Sequence, residues 1–498
     1  MHVDTLLHCR WAIPMHPKNT VLENVAIAIS NGNIVAICSQ IEAQNISANE
    51  TFDLQDHIVI PGFVNAHSHA PMNLLRGMGA DLSLMDWLQT KIWPAEAKLM
   101  GPEYAYEGAK LAAEEMLLSG ITCTNDQYFF SEDIARAFEE TAMKCTVSGL
   151  IIGFPSAMAQ TTDDYFRCAE SLFERFSDNP HVRISVGPHA PYTVDDEALR
   201  RVVALSEKHD APIHMHIDET SFEIEESLRM YGVRPIERLA KLGIVNDHLI
   251  SVHTVHPDDH EIELLARAGA SVAHCPSSNL KLASGFSPVA KMMQQGINVA
   301  IGTDSVASND KLDMLAETRL AAMLGKAVAN NPTTMKVFDM LYAATMGGAK
   351  AIGWSDRIGS IEIGKAADLV AFDLKDINTI PTTDAATQLL YSADRSQISH
   401  VWTDGKCVVS KQLLQKSPYF NRENSVNVAK KMAKCGLMVD KSPYKHAREA
   451  WGKKVVHKRY NGAYFVSRIS NWSFYYEILY CFERFGCFGR RERRSFCC

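Results

Sequence analysis

At 498 residues, 46% hydrophobic and 22% charged, the chain has material for one large barrel plus a smaller module, or two to three ordinary domains. No run approaches the ~20 apolar residues that span a bilayer, and Met1-His-Val-Asp-Thr-Leu-Leu-His lacks the charged-then-apolar pattern of a secretory signal. The net charge of −8 divides into +9 over residues 441–498 (thirteen Lys/Arg, four Asp/Glu) and −17 over the rest. An acidic body argues against nucleic-acid binding by the main domain.

In chain order, residues 1–57 read as short strands. Val25–Ser30 and Ile34–Cys38 flank Asn31-Gly32-Asn33, a hairpin signal. From 58 to 357, apolar strand candidates near 58–66, 121–126, 145–152, 182–188, 212–217, 249–253, 271–274 and 297–302 alternate with helical stretches. These stretches include Tyr104–Leu118, Asp195–Lys208, Ile224–Lys241 and Asp258–Ala268. Alternation of this kind implies a parallel sheet with crossovers. Eight units in about 300 residues suit a (β/α)8 barrel, with its site at the strands' carboxyl ends. A doubly wound sheet would want a glycine-rich phosphate loop after an early strand; histidines stand there instead. Strand patterns return at Gly359–Gly364, Asp368–Asp373 and His400–Val409. Residues 358–412 are thus expected to complete a small sheet module with the N-terminal strands.

Polar residues recur at the ends of these runs. The first run closes in His67-Ser68-His69, two histidines at i and i+2 that point the same way on a strand and suit zinc or another first-row divalent ion. The fourth ends in His189; the fifth carries His214 and His216, followed by Glu219. The sixth ends in His253 and the eighth in Asp304. One strand-end histidine is more often a satisfied core residue than a ligand, but five such ends facing one barrel mouth point to a metal site. A divalent ion lowers the pKa of bound water from 15.7 to about 7.

The strings PGFVNAHSHAPMNLLRG, GPHAPYT, HMHIDET, SVHTVH, HCPSSNLKLASG and IGTDSVASN resemble the amidohydrolase superfamily. Within it they are most similar to the branch that deaminates 5′-methylthioadenosine and S-adenosylhomocysteine, from about residue 3 to 410. The resemblance implies a distorted (β/α)8 barrel with a composite β-sandwich from both chain ends, and one divalent metal per subunit, usually Zn2+. Carried over, the ligands are His67, His69, His216 and Asp304. His214 rivals His216 on spacing alone; the family's ligand precedes its catalytic Glu by three positions, as His216 precedes Glu219. Glu219 is then the proton donor at ring N1, with His253 and Asp304 orienting hydroxide and Asp304 accepting a proton. Trp87 and Glu96, in the segment after the first strand, match positions that pack on the nucleoside and accept from the ribose hydroxyls; His189 would contact ribose or ring. His274 reads as structural.

The zinc deaminases built on HxE…PCxxC are excluded, because no PCxxC occurs. The fourth strand ends Gly187-Pro188-His189 without the lysine of a binuclear site, which favours one metal. Guanine-type or triazine-type hydrolases, or a silent barrel scaffold, are the alternative readings. A silent member would be expected to lose ligands, and all candidates are present. The expected partner is a small nucleoside substrate; homo-oligomer formation is implied only by the resemblance. The cysteines lack zinc-ribbon pairing and read as cytoplasmic thiols. Residues 413–498 are expected to form a C-terminal helical and atypical basic aromatic tail that departs from the family after about residue 440: the stretch ending Arg490-Arg-Glu-Arg-Arg-Ser-Phe-Cys-Cys498 is read as a dispensable extension rather than a membrane-surface segment.

Overall fold

The structure, a computed structural model, describes residues 1–415 and the isolated positions 427, 459–460 and 463–464. Two units divide the chain, Met1–Met438 and Val439–Cys498. In the second, Arg459–Tyr460 pairs antiparallel with Ala463–Tyr464. The rest of the basic aromatic stretch lies outside the described residues.

In the first unit the N-terminal strands are β1 (His2–Ala12), β2 (Leu22–Ser30), β3 (Asn33–Ser39) and β4 (Ser47–Pro61). Asn31 (φ +51°) and Gly32 (φ +79°) make the two-residue turn between β2 and β3, the positive-φ geometry that asparagine–glycine hairpins favour. The barrel strands follow: β5 (Phe63–Ser68), β6 (Ile121–Asp126), β7 (Lys144–Ile151), β8 (Val182–Pro188), β9 (Ile213–Ile217), β10 (Leu249–His253), β11 (Ser271–His274) and β12 (Asn298–Ile301). The chain ends in β13 (Leu369–Asp373), β14 (Ile398–Thr403), β15 (Lys406–Ser410) and β16 (Leu413–Leu414).

The mixed sheet has the order β16-β15-β14-β13-β4-β1-β2-β3, so the two chain ends meet where β4 pairs with β13. Trp402 of β14 shares a buried core with Leu7 of β1 and Ile27 and Ile29 of β2, which curls the sheet onto itself. The other eight strands pair in parallel, in sequence order. Between β12 and β5 the barrel is closed by side chains and loop backbone rather than by a ladder. Asn65 Nδ2 donates to Thr303 Oγ1 at 2.8 Å, Thr303 N–H to Asn65 Oδ1 at 2.9 Å, and Asp304 N–H to the His67 carbonyl at 3.0 Å. At this seam a Cβ on Gly302 would stand 2.9 Å from the His67 Cβ, so only glycine admits the approach.

Three expectations are corrected. The apolar run 58–66 is two strands: Ile58–Pro61 belongs to β4 and the barrel begins at Phe63. A Cβ on the intervening Gly62 would fall 2.0 Å from Thr122 Oγ1; the glycine lets the chain pass β6 as it changes sheets. The helix expected over Ile224–Lys241 is two helices, Ser221–Tyr231 and Pro235–Lys241. Gly232 at φ +71° ends the first and Pro235 opens the second, the usual glycine stop and proline start. Gly359–Gly364 is not a strand but a turn region, with both glycines at positive φ.

Below the barrel, the buried Lys144 ammonium donates to Asp368 (2.8 and 3.1 Å) and Asp404 (2.7 Å), tying β7 to the mixed sheet. Among the described residues no helix is long and apolar enough to cross a membrane.

Candidate metal centre and substrate cavity

The strand ends bring His67, His69, His216, His253, Glu219 and Asp304 to one point. Two overlapping groups, His67–His216–His253 and His67–His69–Asp304, each place one ligating atom per residue within 4.8 Å of the others. Asp304 Oδ1 lies 3.4 Å from His67 Nε2 and 3.3 Å from His69 Nε2, which is itself 3.3 Å from His216 Nε2. His67 on β5 and His69 just past its end both turn inward, while Ser68 faces away and donates to Asp126 Oδ2 at 2.9 Å. Asp304 and His253 leave their strands at φ +57° and +68°. Such conformations are costly for non-glycine residues and cluster at functional sites.

The opposite ring nitrogens are engaged. His69 Nδ1 lies 2.5 Å from the Gln127 carbonyl and His216 Nδ1 2.8 Å from the His189 carbonyl. A carbonyl only accepts, so both Nδ1 atoms carry the proton and both Nε2 lone pairs face the centre. His67 Nδ1 meets His214 Nε2 at 2.9 Å, and His214 Nδ1 meets Ser148 Oγ at 3.0 Å. His214 therefore stands behind His67 rather than in the cluster. Burial pushes His67 down to about 3, so the ring is neutral near pH 7. Its Nε2 is buried without a hydrogen-bond partner among the described residues. An orphaned lone pair beside two others and a carboxylate fits a divalent cation, zinc in particular. Orienting partners of this kind tune affinity: His214→Ala is expected to weaken zinc binding about 10–100-fold, read by competition with a chromophoric chelator.

Asp304 Oδ2 accepts from Ser278 Oγ at 2.5 Å and Ser308 Oγ at 3.0 Å, and Oδ1 from the Ser305 N–H at 2.7 Å. His253 is held by Asn279 Oδ1, 2.8 Å from Nδ1, and its Nε2 stands 3.8 Å from Glu219 Oε2. Glu219 is buried; burial raises its pKa, opposed by His253. Behind it the Glu223 carboxylate takes the Glu219 N–H at 2.8 Å. His274 is buried one strand over, with both nitrogens unpartnered among the described residues.

A cavity of about 480 Å³ opens from this cluster, within the usual range for small-molecule sites. Trp87, Glu96 and His189 line it. Trp87 and Glu96 come from one helical stretch, Leu84–Leu99, widened to a π-turn over Leu88–Ile92 just before Pro94. Pro94 stands in the first turn of the Trp93–Leu99 segment, a position where proline is tolerated. The Trp87 ring is buried, its indole N–H donating to the Met78 carbonyl at 2.9 Å. Tyr128 donates to Glu96 Oε1 at 2.6 Å. Sequence reading missed Tyr128, Asn279, Ser278 and Ser308. Asn279 and Ser278 lie in the HCPSSN string, but their partners are 26 residues away in the chain.

A parallel barrel with a histidine–aspartate cluster and a neighbouring acid at its carboxyl mouth defines a metal-dependent hydrolase. The amidohydrolase family model matches residues 58–408. A 5-methylthioadenosine/S-adenosylhomocysteine deaminase from Teredinibacter turnerae is 38% identical over 435 residues, 87% of this chain and 98% of that one. A 5′-deoxyadenosine deaminase from Methanothermobacter thermautotrophicus is 39% identical over 73% of this chain and 84% of its own. The crystal structure of an adenosine deaminase from Xanthomonas campestris with bound zinc superposes with a TM-score of 0.86 at 44% identity, covering 88% of this chain and 99% of that one. The chain belongs to the amidohydrolase family and, within it, to the 5-methylthioadenosine/S-adenosylhomocysteine deaminase family.

Proposed function

We propose that the chain hydrolyses the exocyclic amine of 5′-methylthioadenosine-type and S-adenosylhomocysteine-type nucleosides, giving the inosine-type product and ammonia. The observation that carries the reading is the buried Glu219–His253 pair beside the His67–Asp304 cluster, in the same cavity as Trp87 and Glu96. His67, His69, His216 and Asp304 would hold one zinc ion, which when bound supplies hydroxide near neutral pH. Glu219, whose pKa burial raises, gives its proton to ring N1 as oxygen adds to C6. Positioned acid–base groups of this kind contribute about 10²–10⁴-fold. His253, fixed by Asn279, holds the attacking oxygen in line. Asp304 takes the remaining water proton, which passes to the exocyclic nitrogen as the C6–N bond breaks and ammonia leaves.

Trp87 packs on the nucleoside and Glu96 accepts from the two ribose hydroxyls, a role that suits an acceptor-only carboxylate; His189 would contact the ribose or the ring. Burial pushes Glu96 up to about 7, opposed by the Tyr128 hydroxyl. The carboxylate form, which accepts from both hydroxyls, therefore gains as pH rises. KM is expected to fall as pH rises through about 7, and Glu96→Gln to flatten that dependence and raise KM about tenfold, the worth of a hydrogen bond to a charged group. Initial rates at saturating and subsaturating nucleoside across the pH range check it. Seven described cysteines, all free, support a cytoplasmic setting.

The test is ammonia release and the ultraviolet shift on methylthioadenosine, adenosylhomocysteine, adenosine and guanine. Turnover of adenosine derivatives is expected; turnover of guanine alone would contradict the reading.

A further inference from the structure

Resting on the deaminase reading, we infer that the site selects adenosine derivatives carrying an uncharged, apolar 5′ substituent, such as a methylthio group, over those ending in an amino-acid zwitterion. The cavity lining separates into two chemistries. The ionisable groups are concentrated at the strand-end cluster and at Glu96, and the remaining wall is mainly apolar, with Leu84, Leu88, Ile92 and Phe154 interspersed with neutral polar side chains such as Ser156 and Thr193. Its ionisable acids, Glu96, Glu219 and Asp304, are all of one sign, and among the described residues no lysine or arginine lines it. The rim continues this character, with Trp93, Phe154 and Tyr192 exposed at 40%, 46% and 45%.

Three cations on the mouth-side loops are already committed. Arg76 pairs with Glu115, Lys281 with Asp310, and Arg234 Nε with Glu261 at 2.7 Å. A homocysteine tail leaving the ribose would therefore lay its carboxylate against hydrocarbon and beside carboxylates. Charge desolvated without a partner is strongly disfavoured, whereas a thioether gains contacts with apolar and aromatic walls.

The experiment compares kcat/KM of the zinc-loaded full chain on four nucleosides: 5′-methylthioadenosine, 5′-deoxyadenosine, adenosine and S-adenosylhomocysteine. Methylthioadenosine is expected to exceed adenosylhomocysteine by about 10²-fold or more, since an apolar pocket already rejects an added hydroxyl by about 10². Phe154→Arg, at an exposed lining position, is expected to narrow that ratio about tenfold by supplying the missing charge-assisted bond. The ratio is read because any general loss of activity cancels in it. Adenosylhomocysteine turned over as well as methylthioadenosine, or a ratio unmoved by Phe154→Arg, would overturn the selectivity while leaving the deaminase reading intact. Failure on all four nucleosides would overturn that reading and the inference with it.

Discussion

His67→Ala is expected to lower kcat/KM by about 10³–10⁴, since a catalytic metal contributes several kcal/mol and each 1.36 kcal/mol is tenfold. Zinc content should fall with it, because His67 belongs to both groups of candidate ligands and its buried Nε2 has no hydrogen-bond partner among the described residues. The substitution also strips His214 of its neighbour at 2.9 Å, so unfolding must be told apart from metal loss. Circular dichroism and zinc content measured on the same sample do this: a folded, zinc-poor, inactive variant is the expected outcome. Full zinc and full activity in His67→Ala would contradict the site.

Glu219→Gln is expected to behave differently. Glutamine keeps the shape and the place beside His253 but cannot give a proton to ring N1, so kcat should fall about 10²–10⁴-fold with zinc content unchanged. Because burial raises the glutamate's pKa, kcat should decline as pH rises and Glu219 ionises. That decline should vanish from the residual activity of Glu219→Gln. A variant retaining wild-type kcat would remove Glu219 from the chemistry.

The parts of the site legible in the sequence are those that local spacing dictates. His67 and His69 face one way because strands alternate, and strand-end positions converge because the barrel is parallel. The same alternation left His214 and His216 equivalent; the structure separates them by depth, putting His214 against His67 and Ser148 and His216 at the cluster. What holds the functional groups in place was not legible. Asn279 on His253, Ser278 on Asp304 and Tyr128 on Glu96 are contacts across strands, set by tertiary packing rather than by any period. In the fold, the element types could be read where periodicity was long, and the errors fell at glycines. Gly62 carries the chain from one sheet to the next past Thr122, and Gly232 divides what hydrophobic pattern alone joins.

The most direct measurement is single-product analysis of methylthioadenosine incubated with zinc-loaded protein in isotopically labelled water. Ammonia is expected in equal amount to a deaminated nucleoside whose new C6 oxygen carries the label, with no reaction after chelation. An unchanged amine, or loss of the 5′ group or the ribose instead, would contradict it.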